Sequence, residues 1–501
     1  MLKASLADDE NRLEIAFMAA TRTSKTPRTR TEHDSMGPVE VPADLLYGAS
    51  TQRAVQSFPI SGRAVGWEII GAFANLKRAA VEANRELGRI SAKRTSLIRK
   101  ACTQIMSEVD DAGTRPEMMR HFPVDVFQTG SGTSTNMNLN EVISNLACRS
   151  AGNKVGSHDP VHPNDHVNMG QSSNDTFPTA MQVAAAVHMK QSMLPSLKRL
   201  ARVLHAKSRQ FDAIVKIGRT HLQDATPIRL GQEFSGYAAQ ADFAVQRASD
   251  AIEAIASNLP IGGTAVGTGI NTHPRFARLV AARLSKDTGV KFREAANHYE
   301  AQATRDCVVD AHSHLRTIAI SMSKIASDIR LMGCGPRCGL YELELPAIQP
   351  GSSIMPGKVN PVLVESVMQV AMKVAGNDVA VGVGGMGGTG SLMELNVAMP
   401  MMAECLLESI TIIGNAARVF AESCVHGLKA NRREIDAKVE RSLMLGTALV
   451  PAIGYDHASR IAKACFKSGQ TIREYCLEHD VLPPDQLDAL LDISSMTQPH
   501  G

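Results

Sequence analysis

At 501 residues the chain is long enough for two or three domains with a large buried core, and its 44% hydrophobic and 21% charged residues exclude disorder as a whole. The 53 basic and 50 acidic residues are mixed along the sequence and leave a net charge of +3, which excludes the broad basic face of a nucleic-acid binder. Aromatic residues make up only 4% while methionine and alanine are plentiful, a balance that favours closely packed helices over sheets.

The first thirty residues carry Asp8, Asp9, Glu10 and Glu14 ahead of a Thr/Arg tract from Thr21 to Thr31. Those acids argue against a mitochondrial transit peptide, so residues 1–31 are expected to form a disordered tail. No apolar run reaches the ~18 residues of a membrane span. The nine cysteines (Cys102, Cys148, Cys307, Cys334, Cys338, Cys405, Cys424, Cys465 and Cys476) are odd in number and scattered, which suits reduced thiols in the cytoplasm. Nothing completes a four-ligand zinc or iron–sulfur spacing around Cys334 and Cys338, so no metal or other cofactor is expected.

Residues 32–171 read as a first, mainly helical domain with no strong period-2 strand pattern. Its informative stretch is Gln128-Thr129-Gly130-Ser131-Gly132-Thr133-Ser134-Thr135-Asn136-Met137-Asn138. A hydroxyl-rich, glycine-broken segment leading into helix-prone sequence suits either an anion site or an ordinary helix cap. His158, His162 and His166 recur every four residues, but Pro163 interrupts a helical metal site between them. Gln171-Ser172-Ser173-Asn174-Asp175 then supplies neutral donors just before an apolar helical run from Thr176.

Residues 172–428 carry the clearest helical periodicity. Phe234, Tyr237, Ala238, Ala241, Val245, Ala248, Ile252 and Ile255 fall on one face, as do Val308, Ala311, Leu315, Ile318, Met322, Ile325 and Ile329. With further long segments at 178–210, 361–380 and 396–426, five long helices predict a central antiparallel bundle whose apolar stripes also serve a subunit interface. Shorter helical pieces over 429–501 predict a small terminal domain. Gly382, Gly384 and Gly387 match a dinucleotide-binding spacing but follow a helix where that fold needs a strand.

Gly218-Arg219-Thr220-His221-Leu222-Gln223-Asp224-Ala225 is a polar segment ahead of a long helix, and its imidazole suits proton transfer near neutral pH. Glu365 is the nearest motif carboxylate able to orient it. The most specific stretch is Gly351-Ser352-Ser353-Ile354-Met355-Pro356-Gly357-Lys358-Val359-Asn360-Pro361, a glycine- and serine-rich loop ending on a cation and an amide. It is not a P-loop, since Gly351 is one residue too far from Gly357-Lys358 and Val359 stands where Ser or Thr holds magnesium. Lys358, Asn360 and backbone N–H groups suit the charge that develops when a proton leaves carbon beside a carboxylate, with a loop serine as the candidate base.

That last stretch resembles the signature loop of the fumarase/aspartase superfamily, and its Met355-Pro356-Gly357-Lys358 form is similar to class II fumarases. The likeness runs from about Asp34 to about Asp480, with Gly130–Asn138, His162–Asp175, Gly218–Ala225 and Gly262–Thr272 in the family's order. The resemblance implies an all-α, three-domain chain whose central helices form a twenty-helix core in a homotetramer, with each active site shared between subunits. It further implies reversible hydration of fumarate to (S)-malate in the citric acid cycle. Ser352 would remove the C3 proton of malate and His221, backed by Glu365, would handle the water proton. Ser131, Gly132, Thr133, Ser172, Ser173, Asn174, Thr220, Ser353, Lys358, Val359 and Asn360 would bind substrate. A second dicarboxylate site would match His162, Asn164 and Asp165, although Asp159 and Pro160 replace the basic stretch often found ahead of it. The rivals are an aspartase and a catalytically silent homologue. Aspartases resemble Gln-Ser-Thr-Asn-Asp and Met-Pro-Ala-Lys, whereas this chain has Ser173 and Gly357, and every position expected to carry chemistry is filled.

Overall fold

The computed structural model describes residues 28–109 and 117–499. The expected N-terminal tail lies outside the described residues up to position 27, and its last three residues already pair in a hairpin, β1 (Thr29–Asp34) with β2 (Gly37–Pro42). No alternation predicts this hairpin because each strand buries a single residue, Glu32 in one and Val41 in the other. Polar contacts hold it: the Arg30 guanidinium donates to Glu32 and to the carbonyls of Pro42, Leu45 and Tyr47.

Helices dominate the rest, as the all-α expectation requires. They are α1 (Ala49–Ser57), α2 (Trp67–Glu86), α3 (Ala92–Val109), α4 (Thr133–Ser150) and α5 (Ser173–His188), then a π-turn and α6 (Leu194–Gln210). A hairpin of β3 (Val215–Thr220) and β4 (Gln223–Arg229) leads into α7 (Leu230–Ala256), followed by α8 (Phe276–Thr288), α9 (His298–Ala303) and α10 (Asp306–Met332). The last long helices are α11 (Val362–Gly385) and α12 (Met399–Val419). Of five short helices between Arg432 and Leu490, the last four close over a core that includes Leu445, Leu449, Ile461, Cys465, Ile472 and Leu487.

The chain divides into two compact units, each discontinuous in sequence. One comprises the described residues up to Ala184 with Leu259–Thr304 and Gly390–Glu404; the other comprises Ala185–Asn258, Arg305–Thr389 and the residues from Cys405 on. In the second unit the predicted stripe of α10 is buried at every position from Val308 to Ile329. On α7 Val245 and Ile252 are only half-buried, and Ala244 and Ala251 face inward in their place. Small residues let α7 approach its neighbours closely, and the branched side chains are left at the rim. Among the described residues no helix is long and apolar enough to cross a membrane.

Candidate functional site

In the first unit, glycine chemistry fixes the start of α4. Gly132 is its N-cap in the left-handed region at φ 73°, and a Cβ there would also overlap the Phe177 ring. Gln128 supplies the cap itself: its Oε1 accepts from Thr135 N at 3.0 Å and Thr135 Oγ1 at 2.8 Å. The Ser131 and Thr133 hydroxyls are therefore not consumed in capping. They lie 2.8 Å apart, and Thr133 Oγ1 lies 2.6 Å from Ser173 Oγ, which joins two motifs forty residues apart.

Asp175 shapes the second motif. Its Oδ1 accepts from Ser172 N at 2.9 Å, and its Oδ2 accepts from Gly262 N and Thr264 N at 3.0 Å each. One carboxylate thus ties Ser172-Ser173-Asn174 to the Gly262–Thr272 loop, and Asn174 Nδ2 adds a bond to Ala265 O at 2.9 Å. Burial pushes the Asp175 carboxyl up to about 6 against the pull of those N–H donors.

The three histidines ahead of this motif cluster without forming a metal site: the His158 and His162 rings pack edge-on with centroids 4.9 Å apart. His162 Nδ1 accepts from Asn164 N and Asp165 N at 3.2 Å each, capping a π-turn at Pro163–Val167, and His166 Nδ1 accepts from His162 N at 2.8 Å. Among the described residues no group of three His, Cys, Asp or Glu side chains is arranged to hold a metal ion. Asn164 and Asp165 are exposed.

The second unit holds the remaining candidates. Thr220 and His221 sit at the tip of the β3–β4 hairpin, where the sequence predicts only a polar lead into a helix. His221 and Leu222 form the two-residue turn with φ of 54° and 61°. Such turns favour Asn-Gly, so two bulky residues there mark strain held by the surroundings. The restraint lies at the base, where Arg219 Nη1 and Nη2 donate to the Glu342 carboxylate at 3.1 and 2.7 Å. The buried Lys216 pairs with Glu233 at 2.9 Å and with Glu342 at 3.3 Å.

The 351–361 loop is closed at its neck by Asn360 Nδ2, which donates to Gly351 O. Ser352 Oγ accepts from Ile354 N at 3.2 Å and Met355 N at 3.0 Å, two donors that favour an oxyanion on that atom. Met355-Pro356-Gly357-Lys358 is a type II turn, with Lys358 N donating to Met355 O at 3.2 Å and Gly357 at φ 79°. Ser353, Lys358 and Val359 are exposed, and Ser352 and Asn360 are half-buried. Pro361 is the N-cap of α11 rather than its first residue, and Glu365 lies in the first turn. The hydrogen bonds of a single chain do not join His221 to Glu365.

Sequence reasoning names the hydroxyl and amide residues of these segments but misses what holds them. Glu342 lies outside every motif, and no spacing signals that it is buried. Asp175 lies within its motif, yet nothing local shows that its partners lie near residue 262.

Comparison with known proteins follows the same outline. The lyase family matches residues 37–376, and the fumarase C C-terminal family matches residues 445–498. The chain is 48% identical over 486 residues to fumarate hydratase class II 2 of Bradyrhizobium diazoefficiens, covering 97% of this chain and 100% of that protein. It is 50% identical over 472 residues to the fumarate hydratase class II of Halobacterium salinarum, covering 93% of this chain and 97% of the relative. The crystal structure of class II fumarase from Schistosoma mansoni matches with a TM-score of 0.90 at 37% identity, covering 95% of this chain and 100% of that one. With two family matches and relatives aligned nearly end to end, the chain belongs to the class II fumarase family.

Proposed function

We propose that the protein catalyses the reversible hydration of fumarate to (S)-malate, a step of the citric acid cycle, as a cytoplasmic homotetramer that needs no cofactor. The observation that carries this reading is the 48% identity over the full length of a class II fumarate hydratase. The donor geometry supports it.

In the direction of dehydration, Ser352 as the alkoxide takes the C3 proton of malate. The C–H electron pair passes into the adjacent carboxylate, and Ser353, Lys358, Val359 and Asn360 meet the charge that develops there. Collapse of that pair forms the double bond as the C2 oxygen leaves. It departs as water, with a proton from His221, whose imidazole Glu365 orients. Ser131, Gly132, Thr133, Ser172, Ser173, Asn174 and Thr220 hold and orient the substrate. The substitution of Ser173 and Gly357 for the Thr and Ala of aspartases separates this reading from ammonia elimination.

Since His221 and Glu365 do not bond within one chain, assembly from several subunits brings them together. Exposed apolar residues on the long helices supply the contact surface, among them Phe243, Ile320, Met372 and Val379 at 57–67% exposure. His162, Asn164 and Asp165 match the family's second dicarboxylate site, but Asp159 and Pro160 stand here in place of the basic stretch that often precedes it. The test is ultraviolet absorbance of fumarate with purified protein, in water and with ammonium, with and without chelator. Chelator-resistant loss in water, abolished in Ser352→Ala, supports the proposal; loss only with ammonium, or no loss from assembled protein, overturns it.

A further inference from the structure

Lys77 on α2 is fully buried, yet its ammonium contacts no carboxylate. It donates to Asn136 Oδ1 at 2.8 Å, Asn168 Oδ1 at 2.9 Å and Gln171 Oε1 at 3.0 Å, which uses all three of its protons on neutral amide oxygens. An apolar side chain of similar volume would fill the same space without the desolvation cost of a buried ion. The positive charge is therefore the feature to be explained.

Its three acceptors lead directly to the neutral donor cluster. Asn136 lies one turn into α4, which begins at Thr133, and Gln171 immediately precedes Ser172-Ser173-Asn174. Thr176 Oγ1 links the two, 3.1 Å from Asn136 Oδ1 and 2.7 Å from Ser172 O. Asn168 Nδ2 closes the group by donating to Gln171 O at 3.2 Å. Every hydroxyl and amide in the cluster is uncharged, and the Asp175 carboxyl that anchors it becomes negative above about 6, so without a cation the cluster has little to attract a dianion.

We propose that Lys77 is a positioning residue whose buried positive charge holds the Ser131–Thr133 and Ser172–Asn174 donors together and gives that neutral cluster its affinity for a dicarboxylate. This rests on the proposed hydration of fumarate and names a residue outside all of its motifs. The ionisable groups facing Lys77 are Asp175 from α5 and Cys102 from α3. Arg78 and Glu82 flank it on α2, Asp287 of α8 pairs with Arg78, and His298 of α9 feels Asp175; α4 and the 163–171 turn present neutral amides. Burial pushes the Cys102 thiol up to about 12, which leaves it neutral, and pushes the Lys77 ammonium down to about 7. In the free protein the charge is thus lost as pH rises through 7. A bound dianion favours the charged form, so binding takes up a proton above that pH.

The test compares kcat and KM for malate between pH 6 and 9 in wild type and Lys77→Met. We expect wild-type KM to rise through the upper half of that range. In Lys77→Met, KM is raised roughly tenfold at pH 6.5, the scale of one partly screened buried charge, kcat is less affected, and the rise with pH is gone. A variant with wild-type KM, or with the wild-type pH dependence of KM, overturns the inference. If Lys77→Met does not fold, calorimetry of succinate binding to the wild type at pH 8, in buffers of different ionisation enthalpy, takes its place. Proton uptake supports the inference and no uptake overturns it. Because succinate does not react, this result is independent of whether fumarate is hydrated.

Discussion

Arg219 holds both oxygens of Glu342, at 3.1 and 2.7 Å, from a position two residues ahead of His221. Glu342 also faces the buried Lys216, whose nearer partner is Glu233, so two carboxylates and two cations form one cluster beneath the strained His221-Leu222 turn. Glu342→Ala strands Arg219 and leaves Lys216 with Glu233 alone. The expected cost is about 3–5 kcal/mol of stability in denaturant unfolding, as for any buried pair stripped of one partner. In the fraction that folds, kcat should fall more than KM rises, with Glu342→Asp recovering part of the loss. A variant that unfolds like wild type would show that the ion cluster does not hold the hairpin.

Gly357 adopts φ 79° at the third position of the Met355–Lys358 turn, and nothing lies within 4 Å of where its Cβ would be. Any penalty for Gly357→Ala therefore comes from the backbone alone. A left-handed alanine costs about 1–2 kcal/mol, which predicts a roughly 5–30-fold fall in kcat/KM as the loop leaves its working shape. The turn is exposed and far from any core, so the melting temperature should barely move. An unchanged kcat/KM would mean that the loop works without this turn.

What could be read from the sequence follows a physical line. The stripe of α10 was legible because its buried positions are large and apolar, whereas on α7 the inward positions are alanines that carry little periodic signal. The polar segments that meet at Thr133 and Ser173 were legible as segments because their hydroxyl and amide residues are consecutive, but their meeting was not. The β1–β2 hairpin was not, since its inward residue on one strand is Glu32, and the His221 turn was not, since it lacks the asparagine and glycine that announce such turns. Lys77 looks like any long cation on a helix until its acceptors, 59 to 94 residues away, are seen around it.

Gly132 faces two separable demands. Its φ of 73° disfavours any side chain, and a Cβ would overlap Phe177. Gly132→Ala should therefore destabilise by more than the roughly 1–2 kcal/mol of the left-handed backbone alone. Combining it with Phe177→Leu should relieve the overlap and leave the backbone cost, a favourable coupling of about 1 kcal/mol or more in a double-mutant cycle. Strict additivity of the two substitutions would show that the ring moves aside freely.

Asp175 sets a pH dependence whose sign is fixed by burial. Its carboxyl titrates at about 6 in the fold against a reference of 3.8, so between those values the folded protein keeps a proton that the unfolded chain has lost. Stability from this group is therefore greatest below the lower value and declines as pH rises toward 6, by up to about 3 kcal/mol at 1.36 kcal/mol per unit. Asp175→Asn cannot titrate. It also replaces one of the oxygens that accept from Ser172, Gly262 and Thr264 with a donor, so it should be less stable than wild type across the whole range. The informative quantity is how the difference changes. The wild-type advantage in urea unfolding should shrink from pH 4 to pH 6 and stay level above it. An advantage that instead grows with pH would mean that the three backbone donors outweigh desolvation and hold the carboxylate ionised.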